Sequence, residues 1–202
     1  MTKPVIDFIF DFGSPNAYLV LKVLPQIAER HGAEIKLLPC LLGGIFKATG
    51  NQAPMLAFAD IKGKLDYDRL EMQRFVDRHG LTAFRINPHF PINTLALMRG
   101  MVAAQHLGVV SAYLDIVLSG MWENGDMMDD PAVFLDRLNA GGLDGQRLIE
   151  LANSPDIKAE LVANTEAAVA RGVFGIPTFF IGDEMFFGKE RLGQIEDVLR
   201  QI

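Results

Sequence analysis

The chain has 202 residues, half of them hydrophobic and 22% charged, with a formal net charge of −6. That is enough apolar residue for a sizeable core, in one domain or one domain carrying an insertion. With no basic stripe, the composition excludes a nucleic-acid partner and an anionic membrane surface. The single cysteine, Cys40, excludes an internal disulfide framework. The chain opens Met-Thr-Lys-Pro and runs straight into an apolar strand. Without a signal-like stretch or a long apolar run, it is expected to be cytoplasmic and to have no membrane partner.

Residues 5–10 (VIDFIF) form a short run of β-formers, and Asp11-Phe12-Gly13 reads as a turn. Ser14 followed by Pro15 reads as a helix cap and first helical residue, and residues 16–30 have helical spacing. Residues 34–39 read as a second strand. Two strands joined by a helix predict a right-handed βαβ unit with parallel strands. The strand pattern then disappears, and residues 65–79, 94–107, 110–122, 131–138, 145–153 and 154–170 read as helices. Several have clear starts, at Asn93 or Thr94, at Asp130 before Pro131 and at Ser154 before Pro155. Strands return at residues 178–181 and 185–187 around Gly182-Asp183, a hairpin link, and residues 191–201 close the chain as a helix.

Two local patterns point to chemistry. Ile176-Pro177 opens the strand at 178–181, where a proline removes only one ladder donor. An ordinary trans-proline explains it. So does the cis-proline of the thioredoxin fold, which turns the backbone N–H and C=O of the preceding residue toward a peptide-like ligand. At the other end, capping alone explains Ser14-Pro15. A strand, a tight turn and a helix amino end is also where thioredoxin-like proteins hold a reactive thiol, because the helix end favours a thiolate. The expected dithiol is missing: its slot reads Ser14-Pro15-Asn16-Ala17. Dithiol exchange has no partner thiol in the chain, so any working sulfur comes from outside, and glutathione is the expected donor. The expected fold class is α/β, a thioredoxin-like fold with an inserted all-helical domain. Residues 1–42 and 171–202 would form the discontinuous thioredoxin-like domain, and residues 43–170 the helical insertion.

Three stretches carry a family likeness: FDFGSPNAYL near the start, KATGNQAP after the second strand and GVFGIPTFFIGDEMFFGKERL near the end. By these the chain resembles the 2-hydroxychromene-2-carboxylate isomerases, DsbA-like glutathione enzymes related to kappa-class glutathione transferases. The resemblance covers essentially the full length. It implies a glutathione-dependent isomerisation of an aromatic-derived keto acid, with glutathione as cofactor, a small aromatic substrate and a homodimeric state.

Ser14 is then the expected catalytic residue, holding the glutathione sulfur as thiolate; without a neighbouring base it is a poor nucleophile itself. A hydroxyl and a helix dipole together stabilise a thiolate by roughly 1–3 kcal/mol. The resemblance implies that Ile176, ahead of Pro177, pairs its backbone with the cysteinyl unit. Gly188-Lys189-Glu190 precedes the last helix, whose free N–H groups suit the γ-glutamyl carboxylate. Glu190 matches an acidic residue that binds the γ-glutamyl ammonium in the family. Alternatively, Lys189 and Glu190 are solvated first-turn residues. Lys47 and Asn51 match polar residues lining the cleft: Lys47 for a substrate carboxylate or carbonyl, Asn51 for glutathione or substrate. Lys62 and Lys64 are weaker candidates for an anionic ligand. The chain departs from the pattern at Leu56-Ala57, where some members have Asn-Arg, and at Phe90-Pro91, where naphthalene-pathway members have a tyrosine near the substrate. Phe90 is therefore a candidate substrate contact, and the exact aromatic substrate stays open.

His31, His79, His89 and His106 lack metal-ligand spacing, and no metal is expected. Asp126, Asp129 and Asp130 read as a solvated loop and helix cap, and Trp122 as packing or cleft lining. Two rival readings stay open: a kappa-like transferase that consumes glutathione, and a non-catalytic thioredoxin-fold binding module.

Overall fold

The computed structural model describes residues 3–202. Its sheet takes two strands from each end of the chain: β1 (Val5–Phe10), β2 (Glu34–Pro39), β3 (Thr178–Ile181) and β4 (Glu184–Phe187), in the order β2-β1-β3-β4. β1 runs parallel to β2 and antiparallel to β3, and β3 is antiparallel to β4. Central β1 reads as an almost unbroken apolar run because it is covered on both faces, with Ile6, Phe8, Ile9 and Phe10 buried. Phe8 lies opposite Phe179, their rings 4.8 Å apart.

The connection between β1 and β2 is α1 (Pro15–Arg30), whose buried Val20, Val23, Leu24 and Ile27 keep helical spacing toward the sheet. Between β2 and β3 the described structure is helical: α2 (Leu42–Thr49), α3 (Pro54–Ala57), α4 (Lys64–His79), α5 (Leu95–Leu107), α6 (Val110–Ser119), α7 (Pro131–Ala140), α8 (Gly145–Ala152) and α9 (Pro155–Ala170). After β4 come a 3₁₀ turn, Lys189–Arg191, and α10 (Leu192–Leu199). The fold is thus of mixed α/β type, a four-stranded thioredoxin-like sheet whose two halves are separated in the chain by helices. α5 and α9 pack against β2, and Gln105 donates to the Leu37 carbonyl on that strand at 3.1 Å.

Three elements differ from their sequence reading. α2 and α3 have no counterpart there. Gly43 and Gly44 lower the helical signal of α2, yet Gly44 lets the helix approach α9, where an added Cβ would lie 3.1 Å from the Thr165 methyl. The helix read through residue 122 stops at Ser119 and passes into one π-helical turn, Gly120–Asn124. The Gly120 carbonyl there accepts from the Asp126 amide at 2.9 Å. The last helix, read over residues 191–201, forms as α10 within two residues at each end, behind the 3₁₀ turn. The caps at Ser14, Asp130 and Ser154 form as read, each side-chain oxygen accepting helix amides. Thr94 precedes α5 without capping it; the Asn93 side chain accepts the Leu95 amide instead, at 3.0 Å.

Candidate functional site

Strand register gathers the site. Phe10 pairs with Pro39, Ile9 with Thr178, and Thr178 with Phe187. The residues after β1, after β2, before β3 and after β4 therefore meet at one end of the sheet. Ser14, Leu42, Ile176 and Gly188 reach the same neighbourhood from four separate parts of the chain.

Ser14 is 5% exposed. Its Oγ accepts the Ala17 N–H at 3.2 Å, as a cap does, and donates to the Ile176 carbonyl at 3.1 Å. Ile176-Pro177 is cis. The Pro177 carbonyl accepts the Gly188 N–H at 2.9 Å, which pins the end of β4 beside the proline. Gly188 has φ of 92°, a conformation open to glycine. Asn51 is exposed just beyond α2, and its side-chain amide donates to the Phe174 carbonyl at 3.3 Å, two residues ahead of Ile176. The structure thus brings together Ser14, Ile176, Pro177 and Gly188, with Asn51 on the adjoining loop.

Other candidates are placed differently. Lys189 is 4% exposed, which overturns its reading as a solvated residue. Its ammonium pairs with the Glu190 carboxylate and lies 5.6 Å from the Phe75 ring; Glu190 itself is exposed. Lys47 is exposed in the last turn of α2. Lys62 is exposed, while Lys64 pairs with Asp68 and lies 4.9 Å from the Phe58 ring. Phe90, half-buried, lies 5.7 Å from Trp122, and Phe90-Pro91 is a second cis bond.

Trp122 extends an aromatic row that sequence spacing did not reveal. Tyr18 stacks on Phe84 at 5.5 Å, and Phe84 lies 6.2 Å from Trp122. The Trp122 indole donates to the Phe12 carbonyl at 2.9 Å, so the row runs from Phe90 to the turn that presents Ser14. Tyr18 donates to Glu123 at 2.9 Å, and burial followed by that carboxylate pushes its phenol well above its usual range. A cleft of about 490 Å³ lies further along α1, between Val23, Arg30, Arg74, Phe75, Lys189 and Glu190. It touches the candidate site only through the last two.

The lone thiol is elsewhere. Cys40 is buried and points to the Asn164 carbonyl at 3.4 Å. Burial, then the neighbouring Asp11 charge, pushes it up to about 12. Among the described residues, no group of three His, Cys, Asp or Glu side chains is placed to hold a metal ion. No helix there is long and apolar enough to cross a membrane.

A hydroxyl at a helix amino end beside a cis-proline, on this sheet, defines a thioredoxin-fold protein whose thiol position carries serine. The family model of the DSBA-like thioredoxin domain matches residues 5–200. The chain is 30% identical to the 2-hydroxychromene-2-carboxylate isomerase of Pseudomonas putida, over 98% of this chain and 95% of that one. It is 28% identical to the enzyme of that name from Sphingobium xenophagum, over 98% and 99%. A solved 2-hydroxychromene-2-carboxylate isomerase superposes with a TM-score of 0.80 at 30% identity, covering 98% of this chain and 95% of that one. The chain therefore belongs to the DSBA-like thioredoxin-domain family and, within it, to the 2-hydroxychromene-2-carboxylate isomerases. Human glutathione S-transferase kappa 1 is a more distant relative, 24% identical over 96% of this chain and 90% of that one. Pseudomonas aeruginosa DsbA, at 16% identity and a TM-score of 0.62, shares the fold.

Proposed function

We propose that this protein is a glutathione-dependent isomerase. It would interconvert 2-hydroxychromene-2-carboxylate and trans-o-hydroxybenzylidenepyruvate-type aromatic catabolites. The observation that carries the reading is the Ser14 hydroxyl, placed at the amino end of α1 and bonded to the carbonyl ahead of a cis-proline, while the chain's own thiol is buried elsewhere.

The donor set fits a peptide thiol. An extended peptide has an N–H for the Ile176 carbonyl and a C=O for the Ile176 amide. A hydroxyl has one proton to give, and here Ile176 takes it. To stabilise a sulfur beside it, the Ser14 O–H would exchange the Ile176 carbonyl for the thiolate, a stronger, charged acceptor. The Ile176 carbonyl, with two lone pairs, can accept the ligand N–H whether or not Ser14 stays bonded to it. Exposed Glu190 suits the γ-glutamyl ammonium, and the start of the 3₁₀ turn after Gly188 suits its carboxylate. Glutathione held here would supply a thiolate nucleophile for a conjugated carbon of the substrate, the ring C–O bond opening before the new single bond can turn, and would be regenerated as the double bond re-forms. Ser14 lowers the cost of that anion. Lys47 meets the substrate carboxylate, Asn51 orients glutathione or substrate from the facing loop, and Phe90 ends an aromatic wall that suits a flat ring. Positioning and charge stabilisation are the protein's share of the reaction. The reaction belongs in a reducing compartment, the cytoplasm.

The test is a glutathione balance. Purified protein with the hydroxychromene acid should form the benzylidenepyruvate only when glutathione is added, with total free glutathione conserved. Consumption of glutathione would favour the kappa-type transferase, the reading suggested by the human relative. Failure of immobilised glutathione to retain the protein would favour a non-catalytic binding module.

A further inference from the structure

One buried carboxylate joins the parts of this site, and the proposed chemistry does not use it. Asp11, just after β1, is fully buried. Its Oδ1 accepts the Gly13 N–H at 2.8 Å and its Oδ2 the Leu42 N–H at 2.7 Å, and the Thr94 side chain packs beside it around Gly13. Gly13, Leu42 and Thr94 belong to three different segments. Gly13 lies in the turn presenting Ser14, whose own amide bonds the Asp11 carbonyl at 3.2 Å. Leu42 opens α2, and Thr94 directly precedes α5. Burial raises the Asp11 carboxyl above the usual carboxylate range, against the pull of these bonds. Three converging helix amino ends offset part of that cost. There is no slack in the arrangement: a Cβ on Gly13 would lie 3.3 Å from both Asp11 Oδ1 and the Thr94 methyl.

α2 has no side-chain cap of its own, since Leu41 occupies the cap position. Its opening amides are taken by other elements instead. The Cys40 N–H bonds the Phe10 carbonyl at 3.0 Å, the Leu41 N–H bonds the Thr165 hydroxyl at 3.0 Å, and Leu42 bonds Asp11. An eight-residue helix containing two glycines does not hold its place by propensity. Its anchors decide where it stands, and the Asp11 bond ties it to the Ser14 turn. Lys47 and Asn51 lie at its other end.

We propose that Asp11 is a positioning residue: by accepting the Gly13 and Leu42 amides on separate oxygens, it sets α2, and with it Lys47 and Asn51, at a fixed distance from Ser14. Its kinetic consequence rests on the isomerase reading above; its structural consequence does not. Leu42→Pro deletes the donor. Proline is accepted at the first position of a helix, and Leu41, at φ −84° and ψ 112°, already has the extended conformation a following proline requires. Leu42→Ala keeps the donor, truncates the same side chain and serves as the reference.

The first readout needs no activity. Amides of α2 should exchange with deuterium roughly tenfold faster in Leu42→Pro than in Leu42→Ala, with β1 and α1 equally protected in both. In the second, kcat/KM for the hydroxychromene acid should be about tenfold lower in Leu42→Pro than in Leu42→Ala. The KM for glutathione, which keeps its contacts at Ser14 and Ile176 and loses at most that of Asn51, should rise less than the KM for the hydroxychromene acid. Asp11→Asn, with one oxygen where two are used, should lose as much as Leu42→Pro, and the double variant no more than the worse single one. Equal exchange or equal kinetics in the two Leu42 variants, or additive losses in the double variant, would overturn the proposal. A wild-type protein without glutathione-dependent isomerisation would instead overturn the function proposed above. The exchange comparison alone would then decide the role of Asp11.

Discussion

Ser14, at the amino end of α1, and Cys40, just after β2, carry opposite expectations. Ser14 donates its hydroxyl to the Ile176 carbonyl, ahead of the cis-proline. Ser14→Ala removes the donor while leaving the peptide contacts. Turnover of the hydroxychromene acid should fall by roughly one to two orders of magnitude, as for losing a hydrogen bond to a charged group, with little change in glutathione binding measured by calorimetry. Cys40, pushed up to about 12 by burial and then by the Asp11 charge, has almost no thiolate at neutrality and no second thiol to exchange with. Cys40→Ser should therefore keep glutathione-dependent activity, and the native thiol should resist a disulfide reagent until the chain is unfolded. Full activity in Ser14→Ala would remove the role given to Ser14, and loss of activity in Cys40→Ser would give the buried thiol one. The hydroxyl in the thiol slot is legible in the sequence, because it needs only a strand, a turn and a cap in succession. The partner taking its proton is not, being 162 positions away.

Among the elements, α10 is clipped to the end of α1 by charge. Glu196 accepts from His31 at 3.1 Å and from Arg30 at 2.9 Å. The His31 bond first, then Arg30, hold its carboxyl below its usual 4.5. A depressed folded-state value means the contribution is present above that unfolded value and is lost as pH falls through the folded one. Glu196→Gln should lower the thermal midpoint near neutrality, and the gap from wild type should close as the pH falls below the carboxyl's usual 4.5, a comparison calorimetry can make. A gap that stays constant with pH would remove the clip. Strands β1, β2 and β3 were readable to the residue, and most helices to within one or two, because burial imposes a period of two or 3.6 on the sequence. α2 escaped for a physical reason: its glycines weaken the local signal, and its stability comes from α9 and from anchors outside it.

At the scale of the molecule, both ends of the chain build the sheet and the helices between them flank it. Large apolar side chains stay exposed on one stretch, with Leu56 at 66%, Ile61 at 54% and Tyr67 at 55%. Phe174 and Phe187 stand half-exposed against each other, 4.5 Å apart. Covering such surface is a reason to associate, and the chain is expected to run as a homodimer. Light scattering behind size exclusion should give twice the chain mass, and a monomer at micromolar concentration would refute it.

What the sequence determined by itself is local and periodic. It set out the strand and helix order, the capped start of α1, the proline at the head of β3 and serine in place of a thiol, since each is written in neighbouring residues. The tertiary structure alone decided which of these meet. Strand register carries Ser14, Ile176 and Gly188 to one end of the sheet, and folding buries Lys189 under Phe75. It also places the Asp11 carboxylate against an amide 31 positions along the chain. Such contacts leave no periodic trace, because a hydrogen bond depends on distance in space and the sequence records only order along the chain.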